Sequence, residues 1–240
     1  MSRGINLHDT SGLGIQVQRA SQLGQVECHL QLAALAVEKG GFLTNTVRCV
    51  AWPALCGIGY NVPMEYLRTE RPEKHNEYAQ MIRDVDRSLW AYCKDDEKLL
   101  QSKRKSLLRI MNAILLDHPE LNYYQGFHDV CSVCLMVCGE ERGGSVAEYI
   151  AMHHLKHNMR CAFDVTELTL QLIFPLLSRV DPELHRHIME AELYPQFAIS
   201  WHITWLAHNI ESLEQGFSRN LISLTCLPDV ISCVHSCPTL

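Results

Sequence analysis

An acid and a cation three residues apart, Asp84 and Arg87, stand in the run Met81-Ile82-Arg83-Asp84-Val85-Asp86-Arg87. On a helix that spacing brings carboxylate and guanidinium within reach of each other. Taken alone it describes an ordinary solvated pair of little energetic weight. A second run, Asn122-Tyr123-Tyr124-Gln125-Gly126-Phe127, sets a carboxamide beside a glycine. Asn122 and Gln125 fit a capping box, with Gln125 folded back to the chain. The same run also suits a docking surface. Adjacent tyrosines give a partly exposed aromatic patch, and Gly126 lets another molecule's backbone come close to Gln125. A guanidinium can neutralise developing negative charge, and a carboxamide can both accept from water and donate to a phosphate oxygen.

Other groups with chemical potential read as structure. Cys131 and Cys134 have C-x-x-C spacing, with His128 before them and Cys138 after. Val130, Val133, Leu135, Met136 and Val137 surround them, and no second pair follows at zinc spacing. A buried core helix is the expectation. His153 and His157 are four apart, with His154 between, but they lack the glutamate of H-E-x-x-H and a third ligand. They are read as surface or pocket histidines. Cys93 has no nucleophile signature around it. Lys103-Arg104-Lys105 reads as a solvated helix face.

The elements that must carry these residues are helical from Cys28 onward. Ser145 with Glu148, Asp164 with Glu167, and Ser212 with Gln215 each fit a capping box at a helix start. Asp181 followed by Pro182 is a second kind of start, cap then proline. Ile82, Val85 and Leu89 share one helix face. Leu100, Leu107, Leu108, Met111 and Leu115 form another, with Lys103, Lys105 and Arg109 on the wet side. From Phe197 to Ile210 apolar residues occupy most sides, which predicts a central helix covered by neighbours. No sustained period-two alternation exists. The expected fold class is all-α, a multi-helix domain over residues 28–217, with a mobile leader at 1–27 and a divergent tail at 218–240.

Composition bounds the function. Lys and Arg number 21 against 27 Asp and Glu, a formal charge of −6, which argues against nucleic acid as the partner. With 47% hydrophobic residues the chain can build a core. Met1 to Gly14 lacks a secretory pattern, and no apolar run approaches the ~18 residues of a transmembrane segment. The eleven cysteines are then expected as reduced, mostly buried thiols in a cytoplasmic protein.

The run Met81–Arg87 resembles the I-x-x-D-x-x-R motif of the TBC family of Rab GTPase-activating proteins, and Tyr123-Tyr124-Gln125-Gly126 resembles that family's Y-x-Q-G. Upstream, Gly40-Gly41-Phe42-Leu43, Val47-Arg48 and Trp52-Pro53-Ala54-Leu55 are similar to the family's G-x-x…R-x-x-x-W-x-x-L helix. Tyr123 to Asp129 and Phe197 to Trp205 look like family members acting on early-secretory Rabs. The resemblance runs from about Ala33 to Leu213. It departs in having Met81 for isoleucine and Ser88 for threonine, and it fades after about Gln215, where the family continues with further helices.

The resemblance implies a multi-helix TBC-type domain acting on a GTP-bound Rab. Arg87 would be an arginine finger and Gln125 a glutamine finger that aligns water. Asp84 would position Arg87, and Tyr123, Tyr124, Gly126, Arg48 and Trp52 would support the site or contact the Rab. No cofactor of its own is implied, since GTP and Mg²⁺ come with the Rab. ER-to-Golgi traffic and a cytoplasmic location, peripheral at those membranes, follow from the same likeness. Two other readings stay open at this point. One is a non-catalytic Rab- or partner-binding module, and the other a small metal-dependent protein using the Cys/His sites.

Overall fold

A computed structural model describes residues 12–37, 42, 44–58, 71–90, 92–93, 95–160 and 164–209. Helices account for all its regular elements: α1 (Gly12–Ala20), α2 (Gln25–Val37), α3 (Asn45–Leu55), α4 (Tyr78–Asp86), α5 (Glu97–Asp117), α6 (Phe127–His153), α7 (Asp164–Gln171), α8 (Ile173–Val180), α9 (Pro182–Glu190), a 3-10 turn at Pro195–Ala198, and α10 (Ile199–Thr204). Among the described residues there is no strand, as the periodicity requires.

Side-chain caps set several of the helix starts. The Thr44 hydroxyl accepts from the Val47 amide at 3.3 Å, and Asp96 accepts from Leu99 at 2.9 Å. Asp181 accepts from Leu184 at 3.0 Å with Pro182 at the first helical position, as its sequence predicts. In α5, Leu107, Ile110, Met111, Ile114 and Leu115 are fully buried, and Lys105 and Arg109 stay on the wet side. This helix packs along α6, which also packs on α3, so α5 and α6 form the centre. Within α6 the helix is interrupted at Gly139 (φ 79°, ψ 178°), and the chain folds back there. Gly143 then meets the backbone of Cys134 so closely that a Cβ would lie 2.4 Å from the Cys134 carbonyl oxygen. Only glycine fits that crossing.

Four expectations need correction. The leader is not structureless throughout, because α1 lies within it and buries Val17 and Ala20 against α3. Leu13, Val17 and Ala20 carry that helical spacing, hidden among polar neighbours. Ser145 caps nothing: it sits inside α6, and its hydroxyl donates to the Glu141 carbonyl at 3.3 Å. Ile82 is 37% exposed, and Met81 takes the inward place with Val85. Phe197–Ile210 is not one central helix. It divides into the 3-10 turn and the short α10, which stops where Trp205 and Leu206 adopt positive φ. Phe197, Ile199 and Trp201 are exposed while Thr204 is buried. Ser212 with Gln215, and the tail at 218–240, lie outside the described residues. Among the described residues no helix is long and apolar enough to cross a membrane.

Candidate functional site

Met81 and Val85 are completely buried, and they lock α4 onto α5 and α6. That register turns Asp84 inward, where its exposure is 0%. Both carboxylate oxygens accept from the Gln80 amide at 3.2 Å, Oδ2 accepts from the Tyr123 hydroxyl at 2.7 Å, and Oδ1 accepts from Arg87. Burial pushes the Asp84 carboxyl up, but donation from Tyr123 and Gln80, with the His128 and Arg87 charges, outweighs it and holds the group below its ordinary range. Arg87 stands one residue past the end of α4, with its side chain 60% exposed. The pair is therefore not the symmetric, solvated one that spacing alone describes. A buried acid anchors one nitrogen of a guanidinium whose remainder faces solvent.

The backbone beyond Arg87 is clamped from another helix. Arg104 of α5 donates through Nε and Nη2 to the Ser88 carbonyl at 3.3 and 3.0 Å. The Ser88 hydroxyl donates back to Val85 at 2.9 Å. Leu89 then turns through a positive φ of 64°, leaving Trp90 61% exposed next to the arginine.

Gln125 lies in the turn that enters α6. The Tyr123 amide donates to Glu77 Oε2 at 2.7 Å, and the Tyr124 hydroxyl donates to the Ile203 carbonyl at 2.6 Å. Asn122 gives its own amide to the Met159 carbonyl at 2.7 Å and its side chain to the same oxygen at 3.3 Å, so the capping box does not form. Gly126 has φ +122°, and a Cβ there would lie 2.9 Å from Thr204 Cγ2. Both the angle and the space demand glycine. Gln125 is left exposed, and it makes no hydrogen bond to another described residue.

Arg87 and Gln125, from separate parts of the chain, both line one open cavity of about 550 Å³. Neither sits on a helix surface proper: each occupies a helix end or the turn beside one. His128 and Asp129 line the same cavity from α6, and Thr204 and His208 line it too. Asp129 accepts from His208 Nδ1 at 3.1 Å. Burial lowers the His128 pKa; Asp129 and Asp84 pull it up, and Arg87 and His208 push it down.

The remaining sequence candidates fall in two places. Tyr123 and Tyr124 are each only 7% exposed, so the aromatic docking patch is absent and both rings act as struts. Burial, then the neighbouring Asp84, pushes the Tyr123 phenol far above its usual value, so it stays a donor. Arg48 and Trp52 are buried in α3, with Arg48 donating to Asn45 Oδ1 at 2.8 Å. They brace the scaffold from the core. Phe42 of the upstream motif is buried too, and Gly40, Gly41 and Leu43 lie outside the described residues. Cys131, Cys134 and Cys138 are buried thiols, and burial pushes Cys134 up to about 12. Among the described residues no cluster of three metal-ligating side chains exists. His153 stacks on Tyr149, and His154 meets the edge of Trp205.

Sequence reasoning missed Glu77 and Gln80, and it read Arg104 as a solvated side chain and His128 only as a neighbour of the cysteines. Gln80 precedes Asp84 by four residues, a helix contact readable from spacing. Arg104 was assigned to the wet face with Lys103 and Lys105. Its reach to Ser88 depends on how α5 passes the end of α4.

A family model described as the Rab-GTPase-TBC domain matches residues 45–215. TBC1 domain family member 20 of Mus musculus is 35% identical over 185 residues, which are 75% of this chain and 46% of the mouse protein. The Homo sapiens protein of the same name is 32% identical over 198 residues, 82% of this chain and 49% of its own length. GTPase-activating protein gyp10 of Schizosaccharomyces pombe is 31% identical over 183 residues, 76% of this chain and 49% of that protein. The chain thus spans about half the length of these curated relatives. With an all-helical architecture and a family match over most of its length, the chain belongs to the Rab-GTPase-TBC domain family.

Proposed function

We propose that this domain accelerates GTP hydrolysis by a Rab GTPase, with Arg87 and Gln125 entering the nucleotide site of the Rab. The carrying observation is that both residues line one cavity, Arg87 held by the buried Asp84 carboxylate and Gln125 carried on a turn whose flanking Tyr123 and Tyr124 are anchored in the core. The transition state of phosphoryl transfer spreads negative charge over the transferred group, and a guanidinium placed there lowers its energy. Arginine fingers supplied in trans are associated with about 10³–10⁵-fold acceleration, or roughly 4–7 kcal/mol. The carboxamide of Gln125 has the donor and acceptor needed to orient a water against the γ-phosphate. Asp84 restricts the Arg87 rotamers, so less entropy is lost when the cation docks. GTP and Mg²⁺ belong to the Rab. Family membership and a relative named as a GTPase-activating protein support the same reading.

Rabs of ER-to-Golgi traffic are the first substrates to test, and action at those membranes from the cytoplasmic side is part of the proposal. The test is single-turnover phosphate release from a panel of GTP-loaded Rabs with and without the domain. Acceleration of at least one Rab supports the proposal. Binding without acceleration selects a non-catalytic Rab-binding module.

A further inference from the structure

We infer that His128 is a positioning residue, holding the Gln125 turn in place and joining it to the Asp84 bracket beneath Arg87. The inference rests on the two-finger reading and adds a member to it. His128 is 6% exposed, and its ring lies at the junction of three groups. Its Nδ1 is 3.3 Å from the Gly126 amide nitrogen and 3.3 Å from the Tyr123 hydroxyl, and its Nε2 is 3.4 Å from Asp129 Oδ1.

The hydrogen-bonding capacity of these groups selects one tautomer. The Gly126 N–H can only donate, and Gly126 is buried. An unpaired buried N–H is costly. Nδ1 must therefore offer its lone pair, and the ring proton sits on Nε2, facing Asp129. The Tyr123 hydroxyl proton is committed to Asp84 at 2.7 Å. Nδ1 thus contacts the tyrosine oxygen without taking its proton. Gly126 adopts φ +122°, an angle open to glycine, and it is the buried N–H beside the exposed Gln125 that needs a partner. The imidazole supplies that partner, and its Nδ1 packs against the Tyr123 oxygen whose proton goes to the carboxylate that holds Arg87. One buried ring is thereby wedged between the turn that carries Gln125 and the tyrosine that bonds the Arg87-holding carboxylate. The lowering of its pKa by burial keeps the ring neutral near pH 7, as an acceptor at Nδ1 requires.

The test uses the full chain and the Rab that responds most in the panel. His128→Leu removes the acceptor and should lower the maximal single-turnover rate about tenfold or more, leaving the half-saturating concentration within about twofold. His128→Asn places an amide oxygen where Nδ1 stood and should restore most of the rate. Equal loss in both variants, or no loss in His128→Leu, overturns the inference. Independently of any Rab, long-range ¹H–¹⁵N NMR of the labelled chain at pH 7.5 should find the His128 proton on Nε2, and a proton on Nδ1 overturns the inference even if the leucine variant fails to fold. Arg87→Ala and Gln125→Ala run alongside. If these two leave the rate intact, the two-finger reading falls. If they slow it and His128→Leu does not, only the role of His128 falls.

Discussion

The hydroxyl of Tyr123 donates to the buried carboxylate of Asp84 at 2.7 Å, so the two sequence motifs that bear Arg87 and Gln125 share one contact inside the protein. Neither motif is positioned alone. The bond makes the separation of the two functional side chains a property of the core.

Tyr123→Phe removes that donor and keeps the ring. Asp84 loses its strongest compensating partner while staying buried, so its carboxyl pKa should rise. Hydrogen bonds to charged groups contribute about 1.5–3 kcal/mol, and a stability loss in that range is expected by urea unfolding. The maximal rate with a Rab should fall as well. Unchanged stability and rate would show that the contact is idle.

Gly126→Ala should be worse than its one methyl group suggests. The added Cβ would lie 2.9 Å from Thr204 Cγ2, and the backbone angle is one that L-residues rarely adopt. A stability loss of about 1–3 kcal/mol is expected. Thr204→Ser in the same chain removes the clashing methyl but not the φ strain, and should recover only part of the loss.

Trp90 offers a contrasting readout. It is 61% exposed and follows Arg87 by three residues at the cavity mouth. Exposed tryptophans beside a site are frequent binding anchors. Trp90→Ala should raise the half-saturating concentration about tenfold or more with little change in maximal rate. A lowered maximal rate at unchanged half-saturation would move Trp90 from binding to positioning.

The pH dependence of stability has a definite sign. Burial lowers the pKa of His75, His128 and His202, and lowers that of His154 to about 4. The unfolded chain therefore binds more protons than the folded one below about pH 6.5. Stability should be level between pH 7 and 8 and decline as pH falls from about 6.5 toward 4. Asp84 works at lower pH: its depressed carboxyl contributes stability above about pH 4, lost as pH falls through the folded-state value. Urea midpoints measured from pH 8 to 4 check this, and a flat profile between 6.5 and 5 contradicts it.

The helical class, the α5 face and the Asp181–Pro182 start were legible in the sequence because each depends on residues within a turn or two of each other. The α1 helix was hidden because its three inward residues are spread among glycine, glutamine and arginine. Phe197 to Ile210 misled for the opposite reason. Apolar residues all round a helical wheel do not distinguish a covered helix from a short, broken one, and Trp205 ends this one. At the site, the types and order of Asp84, Arg87 and Gln125 were readable, but the burial of Tyr123 and Tyr124 was not. Their hydroxyls bond to Asp84 and Ile203, partners 39 and 79 residues away. Arg104 was invisible as a site residue for the same reason, since it acts on the Ser88 carbonyl that only the fold brings near, and the burial of His128 beside Tyr123 was equally unreadable.

The decisive measurement is single-turnover GTP hydrolysis by a responsive Rab with the unaltered chain, Arg87→Lys and Gln125→Ala. Lysine keeps the charge but lacks the planar fork of donors. The account predicts that Arg87→Lys loses most of the acceleration, on the order of 10²-fold or more, and that Gln125→Ala also loses most of it, with Rab binding retained in both. Full acceleration by either variant would contradict it.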